Sequence, residues 1–147
     1  MQEVFTTAVR ANDTEVVRAL LADPRVDPAA NHNDAIRVAS ARGHAEVVRA
    51  TLADPRVDPA ADKNYAIREA STWGHAEVVR ALLADPRVDP AASDNHAIRA
   101  ASLRNRAEVV RVLLGDPRVD PRGAIQHSTP ECARIIASDD TRDGMEQ

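Results

Sequence analysis

The tetrad Glu-Val-Val-Arg begins at Glu15, Glu46, Glu77 and Glu108, and this unbroken spacing of 31 residues constrains the fold more than any other feature of the chain. Asp-Pro-Arg-Val-Asp-Pro keeps the same register from Asp23, Asp54, Asp85 and Asp116. A period between about 20 and 50 residues marks a solenoid, in which each repeat is one supersecondary unit that cannot bury its apolar face alone. One unit offers only a few large aliphatic side chains, too little apolar surface to offset the conformational entropy of ordering it. Stability must therefore come from the stacking of neighbours.

Within each unit two helical patterns flank a residue suited to a left-handed turn. Between Asn64 and Trp73, the residues Ala66, Ile67, Ala70 and Ser71 form a small-residue face at helical spacing. Asn33, Asn64 and Asn95 precede the first helices and are read as their N-caps. Asn12, Gly43, Gly74 and Asn105 share the next column, and these residue types best tolerate the αL conformation that ends a helix. The second helix carries Val78, Val79, Leu82 and Leu83 in a stripe wide enough to face two layers, with Glu77 and Arg80 paired on its solvated side. Asp85-Pro86 ends it, because the residue before a proline is pushed out of the α region, and this pair suits a type I turn with an Asx hydrogen bond. Asp89-Pro90 is expected to continue in extended form, and the links are read as loops rather than strands. Thr51 stands where Leu20, Leu82 and Leu113 fill the same column, and its hydroxyl is expected to bond back to the carbonyl of Val47.

The ends depart from the repeat. Phe5 falls in the column of Ile36, Ile67 and Ile98, and Gln2, Thr6 and Arg10 are taken as the polar outer face of an N-terminal cap. After Pro121 the next first helix is clipped; Thr129 as N-cap, Pro130 at the first helical position and Glu131 then signal a last helix closed by Ile135 and Ile136. The expected organisation is one all-α solenoid of about five stacked helix-loop-helix units over residues 1–138. It comprises an N-terminal cap repeat (1–28), internal repeats (29–59, 60–90, 91–121) and a truncated C-terminal cap (122–138), followed by a flexible tail (139–147).

Composition narrows the partner class. A hydrophobic content of 44% suits a folded domain, and the three aromatics, Phe5, Tyr65 and Trp73, leave a core of Ala, Val, Leu and Ile that favours thin, closely stacked helices. A net charge of -4 supplies no basic stripe for nucleic acid or an acidic membrane. The lone Cys132 excludes an internal disulfide framework and agrees with a reducing compartment, so cytoplasm is expected, with the nucleus as alternative. MQEVFTTAVR lacks the basic flank and apolar core of a secretory signal, and no apolar run is long enough to span a bilayer.

A short first helix, Gly-His, a second helix opening with Glu-Val-Val and containing Leu-Leu, then a protruding link: GHAEVVRATL at 43–52 and GHAEVVRALL at 74–83 carry the pattern, with Ala39, Ala70 and Ala101 at small-residue positions. This unit resembles the ankyrin repeat over nearly the whole chain. Where the family usually opens its first helix with Thr-Pro-Leu-His, this chain has Asp34-Ala35-Ile36-Arg37, Tyr65-Ala66-Ile67-Arg68 and His96-Ala97-Ile98-Arg99. Its unit is shorter than the family's usual length of about 33 residues, and Pro-Arg-Val-Asp-Pro replaces the glycine-containing hairpin. The departure argues against the family's β-hairpin finger and its His-mediated bonds. Variant units of this kind are similar to those of large DNA viruses and protists, which would place the chain in a host cytoplasm if it is viral.

The resemblance implies a non-enzymatic scaffold that binds a protein partner on the concave face formed by first helices and loop tips. The columns in which the copies differ are then the informative ones: His32/Lys63/Asp94, Asp34/Tyr65/His96, Val38/Glu69/Ala100, Ala41/Thr72/Leu103 and Arg42/Trp73/Arg104. Trp73 is the first candidate anchor and Tyr65 the second, because exposed Trp, Tyr and Arg are enriched at hot spots. The competing reading of Trp73 is a surface residue covered by a guanidinium of Arg42 or Arg104. The invariant Arg37, Arg68 and Arg99, and the link arginines Arg25, Arg56, Arg87 and Arg118, are assigned to intramolecular pairing with neighbouring Asp residues. His32, His44, His75, His96 and His127 show no metal-ligand spacing, and no nucleophile-base or phosphate-loop constellation is present, so no cofactor, metal or catalysis is expected. The chain is expected to be a monomer. The alternative is a passive structural, duplicated or designed repeat module without a dedicated ligand.

Overall fold

The computed structural model describes residues 1–122, residue 124 and residues 128–145. Its helices are α1 (Gln2–Arg10), α2 (Thr14–Leu21), α3 (Ala30–Arg42), α4 (Ala45–Leu52), α5 (Ala61–Thr72), α6 (Ala76–Leu83), α7 (Ala92–Leu103), α8 (Ala107–Leu114) and α9 (Pro130–Met145). Consecutive helices pair as α1/α2, α3/α4, α5/α6 and α7/α8. The first helices stack in one layer (α1, α3, α5, α7) and the second helices in another (α2, α4, α6, α8), with α9 closing the second layer against α8. The described residues form no strand, so the all-helical helix-pair solenoid expected from the period is the fold.

The apolar and αL columns do what their chemistry predicts. Phe5, Ile36, Ile67 and Ile98 are fully buried, as are Val47, Val78 and Val109 with Val48, Val79 and Val110 on the second helices. Asn12, Gly43, Gly74 and Asn105 all have positive φ, between 58° and 80°. At Gly43 a second requirement applies: a Cβ there would lie 2.6 Å from Nδ1 of His75, which packs over it from the next repeat. Thr129 caps α9 by accepting from the Cys132 amide. Thr51 is buried and its hydroxyl donates to the carbonyls of Val47 (3.1 Å) and Val48 (2.9 Å).

The links are double turns. Asp23 accepts from the Arg25 amide on its side chain (2.9 Å) and from the Val26 amide on its carbonyl (3.0 Å), which is the expected turn. Asp27-Pro28 is not extended as anticipated but repeats the device, with Ala29 N bonding to Asp27 Oδ1 (2.9 Å) and Ala30 N to the Asp27 carbonyl. The second Asp carries the same short side chain before a proline as the first, so the same Asx geometry is open to it. Pro28, Pro59 and Pro90 are buried beside Val26, Val57 and Val88.

The link arginines tie layers together. Arg56 is held by Asp54 through Nε (3.0 Å) and Nη2 (2.7 Å) and donates back to the carbonyls of Val26 (3.0 Å) and Leu21 (3.2 Å) in the preceding repeat. Arg87 donates likewise to Val57 (2.8 Å) and Arg118 to Val88 (2.6 Å). Arg25 bonds to Asp23 within its own turn. Pairing with the Asp was expected; the reach into the preceding layer was not. On the second helices, Arg18, Glu46, Arg49, Glu77, Arg80, Glu108 and Arg111 alternate in one ladder, including Arg18–Glu46 at 3.6 Å, Arg49–Glu77 at 3.3 Å and Arg80–Glu108 at 2.6 Å across layers.

Both ends differ from expectation. Gln2, Thr6 and Arg10 do not face outward; they line a crevice against Ala30, Asn31, Asp34, Ala35 and Val38 of the next layer. Gln2 occupies the column of Asn33 and exchanges hydrogen bonds with the backbone of Asp27 (3.0 and 2.8 Å). The outer side instead presents Val4, 51% exposed, and Val16, 36% exposed, whose column mates are buried under a preceding layer. Which stripe of a helix faces the neighbour depends on stacking direction, which periodicity does not specify. At the other end α9 runs to Met145, past the expected boundary at 138, since no proline interrupts it; residues 146–147 of the expected tail lie outside the described residues.

Thr51→Leu should raise the melting temperature, on the scale of about 1–2 kcal/mol for a buried aliphatic exchange; a lower value would show a smaller pocket in that layer. For the link clamp, Arg87→Ala should lower the melting temperature by a few degrees while Arg25→Ala leaves it nearly unchanged. Asp85 is held below the ordinary aspartate range first by its side-chain hydrogen bond from Arg87. A depressed carboxylate contributes stability that is full above the unfolded pKa of about 4 and is lost as pH falls through the folded value. Asp85→Asn should therefore flatten the loss of stability measured by denaturant titration below about pH 4.

Candidate functional site

Three polar residues open each internal repeat, and all three are left-handed. Asn31, His32 and Asn33 have φ of 56°, 57° and 62°; Asp62, Lys63 and Asn64 and then Ser93, Asp94 and Asn95 repeat the geometry. Consecutive αL residues other than glycine cost about 1–2 kcal/mol each. Local hydrogen bonds offset this. The turn closes by bonds such as Asn64 N to the Ala60 carbonyl at 2.9 Å. Arg37 donates to the carbonyls of His32 (3.1 Å) and Asn31 (3.3 Å), Arg68 to Lys63 (3.0 Å) and Asp62 (3.2 Å), and Arg99 to Asp94 (2.9 Å).

This corrects two expectations. Asn33, Asn64 and Asn95 are not N-caps: their side-chain oxygens accept from the amides of Asp58 (2.8 Å), Asp89 (2.8 Å) and Asp120 (3.3 Å), fastening the helix start to the link 25 residues on. The invariant arginines bond chiefly to carbonyls, with Asp34 at 3.7 Å and Asp62 at 3.8 Å from Arg37 as the ion pairs. Asparagine tolerates αL, so its amide is free to bridge rather than cap.

The fixed arginines frame the variable column Asp34/Tyr65/His96. Tyr65 sits between two guanidinium groups, with Arg37 Cζ 5.2 Å and Arg68 Cζ 5.8 Å from its ring centroid. His96 follows one layer on; burial first, then the cations Arg68 and Arg99, push its pKa below the ordinary imidazole range, with Glu69 opposing. His32, Lys63 and Asp94 lie on the exposed turns at the tips.

A second cluster lies at the C-terminal end of the same layer. Trp73 is 47% exposed; its indole N–H donates to Glu69 at 3.1 Å and Arg104 Cζ lies 5.0 Å from its ring centroid. The guanidinium cover is thus supplied by Arg104, and half of the indole surface still faces solvent. Beside it in the next layer Leu103 is 64% exposed. Arg42 joins the first cluster instead. Together with Arg10, Asp34, Arg37, Val38, Ala41 and Tyr65 it lines an open cleft of about 280 Å³.

Arg10 and Leu103 therefore belong with the candidate residues, although Arg10 was read as an outer cap face and Leu103 only as a member of a variable column. Arg10 shares its column with Ala41, Thr72 and Leu103, where variation was legible, but the orientation of α1 was not. Between layers, His44 Nδ1 donates to the Val9 carbonyl (3.1 Å), His75 Nε2 to Ala41 (3.0 Å) and Arg106 Nε to Thr72 (3.2 Å). His-mediated bonds are thus present, from the Gly-His column rather than from the first-helix start. No group of three metal-ligating side chains is found among the described residues, and His127 lies outside them. None of the described helices is long and apolar enough to cross a membrane.

Lys63 at φ 56° with its carbonyl bonded to Arg68 gives a direct test of the turn. Lys63→Val should lower the thermal midpoint and Lys63→Gly should not, because a β-branched side chain opposes αL and glycine accepts it; equal midpoints would refute the left-handed assignment.

No curated protein matches the chain. A family model for ankyrin repeats in three copies matches residues 5–94, more than half of the sequence and a span that includes Tyr65 and Trp73. With the stacked helix pairs, the αL residue between them and the buried Val-Val column already in place, that match shows that the chain belongs to the ankyrin-repeat family.

Proposed function

We propose that the chain is a non-enzymatic protein-binding module, a single repeat array that takes its partner on the surface lined by the first helices and turn tips. Ankyrin repeats generally mediate protein-protein interaction, which supports the class. The observation that carries the choice of surface is the placement of Tyr65 and Trp73. Both variable aromatics lie on the first-helix layer, pre-oriented by Arg37, Arg68, Glu69 and Arg104, and Trp73 retains about half of its surface for contact. Rigid, partly exposed aromatics flanked by arginine are what a hot spot requires, since little side-chain entropy remains to be lost on binding. The second-helix surface, by contrast, is occupied by its own Arg–Glu ladder.

The partner is a protein rather than nucleic acid, because the net charge is -4 and Asp34, Asp62, Glu69 and Asp94 are interspersed along the same layer. One copy of the chain suffices for the surface, and the buried free Cys132 suits a reducing compartment such as cytoplasm.

Comparing the proteins recovered from a cell lysate by the wild-type chain and by a Tyr65→Ala/Trp73→Ala variant tests the reading. Specific recoveries should fall by tenfold or more while the melting temperature changes by only a few degrees. Recoveries unchanged between the two would remove this surface from consideration.

A further inference from the structure

The arginines of the array are almost all satisfied from within. Arg18, Arg49, Arg80 and Arg111 belong to the second-helix ladder; Arg25, Arg56, Arg87 and Arg118 grip their link carboxylates. Arg37, Arg68 and Arg99 hold turn carbonyls, Arg106 bonds to Thr72, and Arg104 covers Trp73. Arg10 and Arg42 are the exception within α1–α8: both are exposed, neither side chain has an ion pair or hydrogen bond among the described residues, and both line a cleft that Tyr65 also lines. A third arginine, Arg37, lies in the same wall but is already engaged with Asp34 and the His32 turn. The remaining lining is Asp34, 3.7 Å from the Arg37 guanidinium, and the aliphatic Val38 and Ala41.

Two unpaired cations over an aliphatic and aromatic floor form a receptor for a carboxylate carried on an apolar neighbour. Resting on the reading of this surface as the binding face, we propose that the partner presents a short acidic segment, glutamate or aspartate next to a leucine-like side chain, with its carboxylates on Arg10 and Arg42 and its apolar residue against Val38, Ala41 and the Tyr65 ring. Planar guanidinium groups suit bidentate carboxylate recognition. A continuous polyanion fits less well, because Asp34 lines the cleft and Asp62 stands on the turn beyond it. The bland account of the two arginines is favourable placement in the last turns of α1 and α3, where a cation complements the helix dipole. That account predicts an effect on stability and none on binding.

The probe is a short fluorescein-labelled peptide alternating glutamate and leucine, titrated by anisotropy against the full chain at low salt. Saturable binding is expected, weakened tenfold or more by Arg10→Glu and by Arg42→Glu and unchanged by Arg134→Glu on α9. Affinity should fall as salt rises, and lysine in place of glutamate in the peptide should abolish binding. Melting curves of the variants within a few degrees of wild type establish that the loss is not unfolding; should either charge reversal unfold the chain, Arg10→Gln and Arg42→Gln replace it with the same expectation. Binding indifferent to Arg10 and Arg42, or equal binding of the lysine peptide or of a thymidine oligonucleotide, overturns the proposal. If the acidic peptide fails while lysate recoveries still depend on Tyr65 and Trp73, the acidic-segment inference falls and the binding-face reading stands; if recoveries are also indifferent to those aromatics, both fall.

Discussion

Contact between consecutive layers is what every other feature of this molecule depends on. An internal repeat contributes one Ile on the first helix, two Val and a Leu or Thr on the second, and one Val in the link to a single core that runs along the whole array. The N-terminal end shows the consequence directly, since Val4 and Val16 are left exposed where Ala35 and Val47 of the next repeat are covered. Hydrophobic stacking is non-directional, so register between layers is set by the polar bridges that span them. Arg56 and Arg87 reach back to link carbonyls, Asn33 and Asn64 reach forward to link amides, and His44 and His75 bond to the preceding first helix. Each such bridge recurs at the same spacing, which lets identical layers add without distortion.

The same bridges shape the candidate site. A left-handed turn of three residues is an expensive way to begin a helix, and here it aims the invariant arginines of the first helices across the variable column. Tyr65 then stands in a slot bounded by Arg37 and Arg68, a position prepared by residues that do not vary among the copies. The division of labour is physical: backbone geometry repeated in every layer holds the guanidinium groups, and one substituted column places whatever side chain recognition requires between them. The same logic explains Trp73, whose indole is oriented from its own helix by Glu69 and from the next layer by Arg104.

Much of the fold was legible in the residues. The αL column, the buried Phe5/Ile column, the Asx turn at Asp23, the Thr129 cap and the back-bonded Thr51 all follow from local chemistry, and all are found. Two of the misreadings, at Asn64 and at the cap face, have a long-range cause. Asn64 reads as an N-cap because its local context is that of a helix start, yet its amide is used 25 residues away. Asp27-Pro28 reads as extended because nothing nearby requires a second turn. Gln2, Thr6 and Arg10 read as an outer face because the direction of stacking has no local signature.

By itself, the sequence determined the period, the helix pairs, their breaks and the columns that pack, because capping, φ preference and apolar spacing act within one repeat. It also marked the columns in which copies differ, and so most of the candidate residues. Only the tertiary structure decided which stripe of each helix meets the next layer, that the first-helix arginines hold backbone carbonyls, and that Arg10 and Arg42 share a cleft with Tyr65 without ion-pair or hydrogen-bond partners among the described residues. The stacking stripe and the shared cleft join residues of different repeats, and the arginine bonds depend on a left-handed turn; a one-dimensional pattern carries no information on the angle at which one layer sits on the next.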